Sequence, residues 1–403
     1  MKRDLIVFRC LWAALASLCA SFPAFAERTY GPGVTDTEIK IGQTMPYSGP
    51  VSAYGTIGKT ELAYFQMIND KGGINGRKIR LISVDDGYSP PKTVEQVRKL
   101  VEQDEVFALF QTLGTPSNMA IVKYTNSKHV PNIFVGSIAE KLGDADAYPW
   151  TMPWNPTGVL EGTQQAQWLA KERPNAKIAL LYQNDDLGRD FVRGIKIGLG
   201  PNGYKAIVAE ATYEVTDPTV DSQIIALRES GADVLVMAGT PKFGTQAIRK
   251  VYDMNWRPLF IISNTMAAVE STLKPAGLDK AIGLVSASYF KIDPEQSSGD
   301  SAMQDYLSMM RRYYPDGNAN DTTNIYGYIT AMAFHEVLKR CGDELTRENL
   351  MRQATSLKDV AQPMLLDGIT LNTSQTNHHP IGKMYPVRFD GKHWQLLGDA
   401  TNK

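Results

Sequence analysis

The sequence predicts an α/β protein of two Rossmann-like lobes, each on a largely parallel sheet. Three observations carry this. Short apolar strands alternate with amphipathic helices through Gly- and Pro-rich turns, the signature of right-handed βαβ units. The rhythm pauses at Tyr148-Pro-Trp-Thr-Met-Pro-Trp-Asn-Pro156, where three prolines and two tryptophans suit a crossover, and then restarts. Once a leader is set aside, about 377 of the 403 residues remain, enough for two cores.

In the first half, "EIKIGQTM" alternates Ile39 and Ile41 and ends in turn residues. A helix with Leu62, Phe65, Met67 and Ile68 follows and is stopped by "KGGINGR". "KIRLISVDDG" reads as a strand, and Pro90-Pro91 open a helix with Val94, Val97, Leu100 and Val101 on one face. "VFALFQTLG" is a near-continuous apolar run, as expected of a strand covered on both faces. "PSNMAIVKYTNSKH" is helical and "VPNIFVGS" is a strand. The second half repeats the alternation, with strands in "KIALLYQNDD", "KAIVAEATYE", "ADVLVMAGT" and "PLFIISN". After Lys280 come "AIGLVSASYF", helices at 299–314 and 324–340, and a terminal hairpin turning at Asp390-Gly391. Segments beyond two complete units imply that the chain recrosses between lobes.

The N-terminus has the form of a secretory signal. Lys2 and Arg3 precede an apolar run from Leu5 to Ala20, and Ala24-Phe25-Ala26 offers a cleavage site. Cleavage after Ala26 predicts an exported, periplasmic protein. No later stretch is apolar over the roughly 18 residues a spanning helix needs. A lipid on Cys19 is disfavoured by the bulky Leu18. Cys10 and Cys19 leave with the leader, so Cys341 stands alone and no intramolecular disulfide is expected. Removing Lys2, Arg3, Arg9 and Asp4 from 42 basic and 43 acidic residues leaves a balance of about −3, which points to neither nucleic acid nor an anionic surface.

Catalytic signatures are absent. There is no G-x-S-x-G elbow and no H-E-x-x-H among the five histidines. His378-His379 and the lone Cys341 lack metal-ligand spacing, so neither metal nor cofactor is called for. Asp85-Asp86 and Asp185-Asp186 suit capping or lobe contacts better than divided acid/base roles. Ala53-Tyr-Gly-Thr-Ile-Gly-Lys-Thr60 lies one residue from a P-loop, but Ala53 replaces its first glycine and an exported protein meets little ATP. The chain reads as a non-enzyme. In an open α/β sheet, ligands sit beyond the carboxyl ends of the strands. The loops there carry hydroxyls, amides and small residues and lead into helix N-termini, an arrangement suited to a carboxylate.

Together, "IKIGQTMPYSGPVSAYG", "INDKGGINGRKIRLISVDDGYSPPKTVEQVRKLVEQDEV", "KIALLYQNDDLGR" and "DVLVMAGTPKFG" resemble the type I periplasmic solute-binding proteins of ABC transporters, in the leucine/isoleucine/valine-binding family. The likeness runs from about Thr35 to Trp394. It implies two lobes joined by three crossovers, here 27–152 with 281–360 and 153–280 with 361–403, closing on a small molecule by a hinge. It also implies a membrane permease as partner and a monomer. Carried over by position, Gly114, Thr115, Pro116 and Ser117 form the loop that grips a ligand carboxylate. Gly136 and Ser137, with Ile138, form the second such loop, and Tyr54 leans on the ligand beside Ser48. Phe243 stands near a displaced aromatic position. Asn264, in Ser263-Asn264-Thr265, occupies the stretch where amino-acid-binding relatives carry an acid for the α-ammonium. That missing counter-charge points to a carboxylate without an amine. The long second motif looks most like the aromatic-acid group, with Trp150, Trp154, Phe243, Tyr289 and Tyr326 as ring contacts. The ligand implied is an aromatic acid such as a benzoate or hydroxycinnamate. The alternatives are a branched-chain or other aliphatic amino acid, with Asp185 or Asp186 as ammonium partner, or an amide, and a ligand-sensing subunit of a signalling system on the same fold.

Overall fold

The computed structural model of the chain describes residues 30–201 and 203–397. The signal-peptide reading, cleavage after Ala26 and Cys19 lie outside these residues.

The first sheet holds β1 (Glu38–Met45), β2 (Lys78–Asp85), β3 (Ala108–Phe110), β4 (Asn132–Val135) and β5 (Thr151–Pro153), in the order β2-β1-β3-β4-β5 and parallel throughout. Its helices are α1 (Gly55–Asp70), α2 (Pro90–Glu102) and α3 (Thr115–Ser127). The apolar run around Ala108 pairs over only three residues because Gln111 turns to a φ of +50° and re-aims the strand end.

The second sheet holds β6 (Ile178–Gln183), β7 (Ile207–Tyr213), β8 (Val234–Ala238), β9 (Leu259–Ile262), β10 (Val285–Ser288), β11 (Tyr385–Phe389) and β12 (Trp394–Leu396), in the order β12-β11-β10-β9-β8-β6-β7. Its helices are α4 (Gly158–Glu172), α5 (Asp186–Leu199), α6 (Asp221–Glu229) and α7 (Pro241–Asp253). The last two strands run antiparallel, and Phe389 faces Trp394 across the expected hairpin. Asp390 Oδ1 accepts the amides of Lys392 and His393, which sets the turn.

The chain passes between lobes after β5, after β10 and before β11. Two expected boundaries move. Residues 285–288 join the second sheet, not the first lobe as a break at 281 implied, because β10 covers the edge that β9 would otherwise expose. The stretch after 361 returns to the first lobe before the hairpin. Met364, Leu365, Ile369, Leu371, Ile381 and Met384 are buried in its core, and Lys291 N–H donates to the Met364 carbonyl. Three further helices, α8 (Ser301–Tyr313), α9 (Thr322–Arg340) and α10 (Arg347–Ala354), pack on that lobe. Phe110 and Phe334 stack at 4.6 Å between β3 and α9.

The near-P-loop has a structural explanation. Gly58, Lys59 and Thr60 lie inside α1. A Cβ on Gly58 would stand 2.4 Å from the Tyr47 hydroxyl, and the Thr60 hydroxyl donates to Asn324 Oδ1 at 2.8 Å. The glycine and threonine serve packing between α1 and its neighbours.

Candidate functional site

Two strand-end loops of the first lobe meet at one point. Gly114 ends the loop after β3 at a φ of +109°, and its N–H donates to the Gly136 carbonyl at 3.0 Å. This close approach brings Thr115 Oγ1 to 2.7 Å from Ser137 Oγ. Both hydroxyls are buried, at the head of α3, where first-turn amides have no intrahelical acceptor. A Cβ on Gly114 would reach 2.5 Å from the Tyr88 ring, so the glycine is required for φ and for contact alike.

The second lobe supplies the facing wall. The Asn264 N–H donates to Glu161 Oε1 at 2.6 Å, and its Nδ2 donates to the Ala287 carbonyl at 2.7 Å. Thr265 Oγ1 donates to the Gly239 carbonyl at 2.7 Å. Glu161 is fully buried behind Asn264, and burial pushes its carboxyl up to about 8. Burial also raises Asp185, although Gln183 Nε2 donates to it at 2.6 Å.

Between these walls lies a cavity of about 90 Å³. Tyr54, Ile57, Tyr88, Leu113, Ile138 and Leu187 give it apolar and aromatic surface, joined by Phe290, Ile292 and Tyr326. Thr115, Ser137, Asn155, Thr240, Asn264 and Thr265 give it polar groups. Among the described residues no charged side chain lines it. The lobes touch across it: Tyr54 Oη donates to the Thr265 carbonyl at 2.7 Å, and at the rim Arg193 pairs with Glu140 at 2.6 Å. Such a site can bind and enclose a small molecule. Among the described residues no cluster of His, Cys, Asp and Glu could hold a metal.

The family model described as "Periplasmic binding protein" matches residues 38–393. The chain belongs to the periplasmic binding protein family. Among curated relatives, the Leu/Ile/Val-binding protein homolog 7 of Brucella suis biovar 1 (strain 1330) is 21% identical over 385 residues, 92% of this chain and 94% of the relative. Among solved structures, a branched chain amino acid ABC transporter from Thermus thermophilus with bound valine superposes with a TM-score of 0.81 at 14% identity, covering 91% of this chain and 97% of that one. The fatty acid ABC transporter substrate-binding protein from Thermomonospora curvata gives 0.77 at 22% identity, covering 92% and 95%. At these identities the superpositions show the fold.

In this periplasmic binding fold, Tyr54, Gly114, Thr115, Gly136, Ser137 and Asn264 line the cavity together. Other expected site residues are placed elsewhere. Ser48 is exposed and donates its hydroxyl to Asp85 at 2.6 Å, because the turn at Gly49 sends it away from the cleft. Ser117 points back into the lobe, where it accepts from the Thr93 hydroxyl at 2.8 Å. Pro116 belongs to the first turn of α3 and does not line the cavity. Asp185 caps α5 through the Gly188 N–H and does not line the cavity, although its charge acts on Tyr88, which does. Phe243 is fully buried against Tyr213 at 4.3 Å, on the core side of α7. Of the other aromatic candidates only Tyr326 reaches the cavity. Trp150 stacks on His129, while Trp154 and Tyr289 are buried together with Nε1 donating to Oη at 3.1 Å.

Sequence reasoning missed Tyr88, Thr240 and Phe290. Tyr88 follows "DDG" in a strand-end loop, and its φ of +59° swings the ring over Gly114. Thr240 lies in the "GTPKFG" loop, where Phe243 and Lys242 are the more conspicuous residues. Lys242 turns away to donate to the Asp217 carbonyl at 3.0 Å. Phe290 sits on the second crossover, whose position in space is set by the fold.

Proposed function

We propose that this protein is the extracytoplasmic solute-binding component of an ABC importer and that its ligand is a small carboxylate without an ammonium group, with an aromatic acid such as a benzoate or hydroxycinnamate favoured. The uncharged lining carries this reading. A buried ammonium without a counter-charge is costly, whereas a carboxylate can be held by hydroxyls and helix-end amides. Thr115, Ser137 and the head of α3 supply that grip, and Tyr54, Tyr88, Phe290 and Tyr326 supply ring surface. The protein would work as a monomer in the periplasm and hand its ligand to a membrane permease. The name of the Brucella relative and the valine in the Thermus structure favour a second reading, a branched-chain amino acid. Against it, neither Glu161 nor Asp185 lines the cavity.

A thermal-shift screen of the mature chain against benzoates, hydroxycinnamates and amino acids tests this. A ligand at 100 times its Kd stabilises by about 2.7 kcal/mol. Stabilisation by leucine or valine and by no aromatic acid would overturn the aromatic assignment. Thr115→Ala is expected to weaken binding of the acid by about 1–3 kcal/mol in calorimetric titration, and unchanged affinity removes it from the grip. Tyr54→Phe, which deletes the bond between lobes to Thr265, should weaken the same ligand by about 1 kcal/mol through the closed population, leaving the carboxylate grip intact. An unaltered Kd would mean that this bond does not hold the lobes closed.

A further inference from the structure

The carboxylate grip is short of hydroxyl hydrogens. Thr115 Oγ1 and Ser137 Oγ carry one hydrogen each and lie 2.7 Å apart, so one of the two is spent on the bond between them. Beside the amides at the head of α3, the pair offers a ligand a single hydroxyl donor. A carboxylate accepts at both of its oxygens, with about four lone-pair sites, which leaves room for a further donor.

The next strand end has one. β3, β4 and β5 are neighbours in that order in the first sheet. Leu113 bridges to Gly136 just past β3 and β4, and Val135 is in register with Pro153. The Trp154 N–H donates to the Val135 carbonyl at 3.1 Å, which carries the pairing beyond β5. Continuing that register sets Ser137 beside Asn155. Side chains alternate along a strand, so these two issue from the same face of chains about 4.8 Å apart. Thr115, Ser137 and Asn155 thus stand in a row across three adjacent strand ends, and all three line the cavity.

The lobe behind Asn155 orients its amide. Gln111 Nε2 donates to Tyr326 Oη at 2.7 Å, and Tyr326 Oη donates in turn to Asn155 Oδ1 at 2.8 Å. With its oxygen held, Asn155 presents Nδ2. That group makes no hydrogen bond to the described residues, although Asn155 is only 8% exposed. Leaving a buried donor unpaired is costly. Among the described residues no acid lines the cavity, so the acceptor comes from the ligand.

We propose that Asn155 completes the carboxylate grip, its Nδ2 donating to the carboxylate oxygen that the Thr115–Ser137 pair leaves open. Because Asn155 stands on the first crossover, the ligand is then tied directly to a segment that joins the lobes. This rests on the carboxylate grip of the proposed function and adds a binding residue to it. It does not depend on whether the rest of the ligand is aromatic.

Calorimetric titration of the mature protein with benzoate, 4-hydroxybenzoate, 4-hydroxycinnamate and leucine tests the proposal. Asn155→Ala should weaken the tightest binder among them by about 10- to 100-fold. With that acid labelled with carbon-13 at its carboxyl group and the protein saturated, the carboxyl NMR signal of the bound acid should shift between wild type and Asn155→Ala. Weaker binding with an unmoved carboxyl signal makes Asn155 a structural part of the crossover and overturns the proposal, as does unchanged affinity. Asn155→Asp keeps the shape and the oxygen that accepts from Tyr326 but removes the donor, and should bind the acid more weakly still. Should alanine impair folding, wild-type affinity in Asn155→Asp overturns the proposal in its place. Thr115→Ala separates the two readings. Affinity that falls in Thr115→Ala but not in Asn155→Ala overturns this proposal alone. Affinity indifferent to both substitutions overturns the grip itself, and binding of none of these acids overturns both readings.

Discussion

Glu161→Gln should make the protein more stable at neutral and alkaline pH while changing little near pH 4. Glu161 is 1% exposed, and burial raises its carboxyl from 4.5 to about 8, more than the Asn264 N–H lowers it. Between these values the native state keeps a proton that the unfolded chain releases, so stability falls as pH rises, by about 1.36 kcal/mol per unit. The contribution is complete below pH 4.5, lost progressively up to pH 8, and flat above. At pH 7 the accumulated loss is about 3 kcal/mol. Glutamine keeps the Oε1 that accepts from Asn264 and Gln165 and never ionises. Urea denaturation of both proteins at pH 4.5, 7 and 8.5 isolates this residue in the difference curve, since other titrating groups cancel. Parallel stability curves for the two proteins would show that Glu161 is ionised in the native state at neutral pH. The amino-acid reading would then gain the buried counter-charge it otherwise lacks.

Gly162→Ala should destabilise the protein by about 2 kcal/mol or more, although alanine favours helix by about 1 kcal/mol. Helices α4 and α5 cross with their backbones in contact. A Cβ on Gly162 would lie 2.3 Å from the Phe191 carbonyl oxygen and 2.9 Å from the Ile195 nitrogen. Facing it, a Cβ on Gly194 would lie 2.3 Å from the Val159 carbonyl. These obstacles are backbone atoms inside helices, so no side-chain rotamer change relieves them. The helices would have to separate, and α4 carries Glu161, which supports Asn264 in the cavity wall. Urea denaturation measures the loss, and a calorimetric titration with the identified ligand should show weaker binding as well. A stability equal to wild type would mean that the two helices are not packed this closely.

The alternation of strands and helices, the two sheets and the terminal hairpin were legible because each rests on local signals: apolar period, proline and glycine stops, and an Asp-Gly turn. The first-lobe wall of the cavity was legible for a similar reason. Gly114, Thr115, Gly136 and Ser137 lie at strand ends, and the topology of a parallel sheet brings such ends together. The errors share one cause. Ser48, Ser117, Asp185 and Phe243 sit in the right loops, but a loop exposes only part of its side chains to the cleft, and which part depends on neighbours distant in sequence. Thr93 engages the Ser117 hydroxyl, Asp85 accepts that of Ser48, and Tyr213 packs on the Phe243 ring. The lobe boundaries slipped likewise, since β10 has too few residues to declare which sheet edge it covers.

By itself the sequence determined the two-lobed α/β architecture and the strand-end loops from which a site is built, because both follow from periodicity and turn chemistry within short windows. Only the tertiary structure decided that, among the described residues, no charged side chain lines the cavity and that Glu161 is buried behind Asn264. Both depend on burial and on partners far apart in the chain, Asn264 and Glu161 being 103 residues apart, and burial is a property that no local stretch of sequence carries.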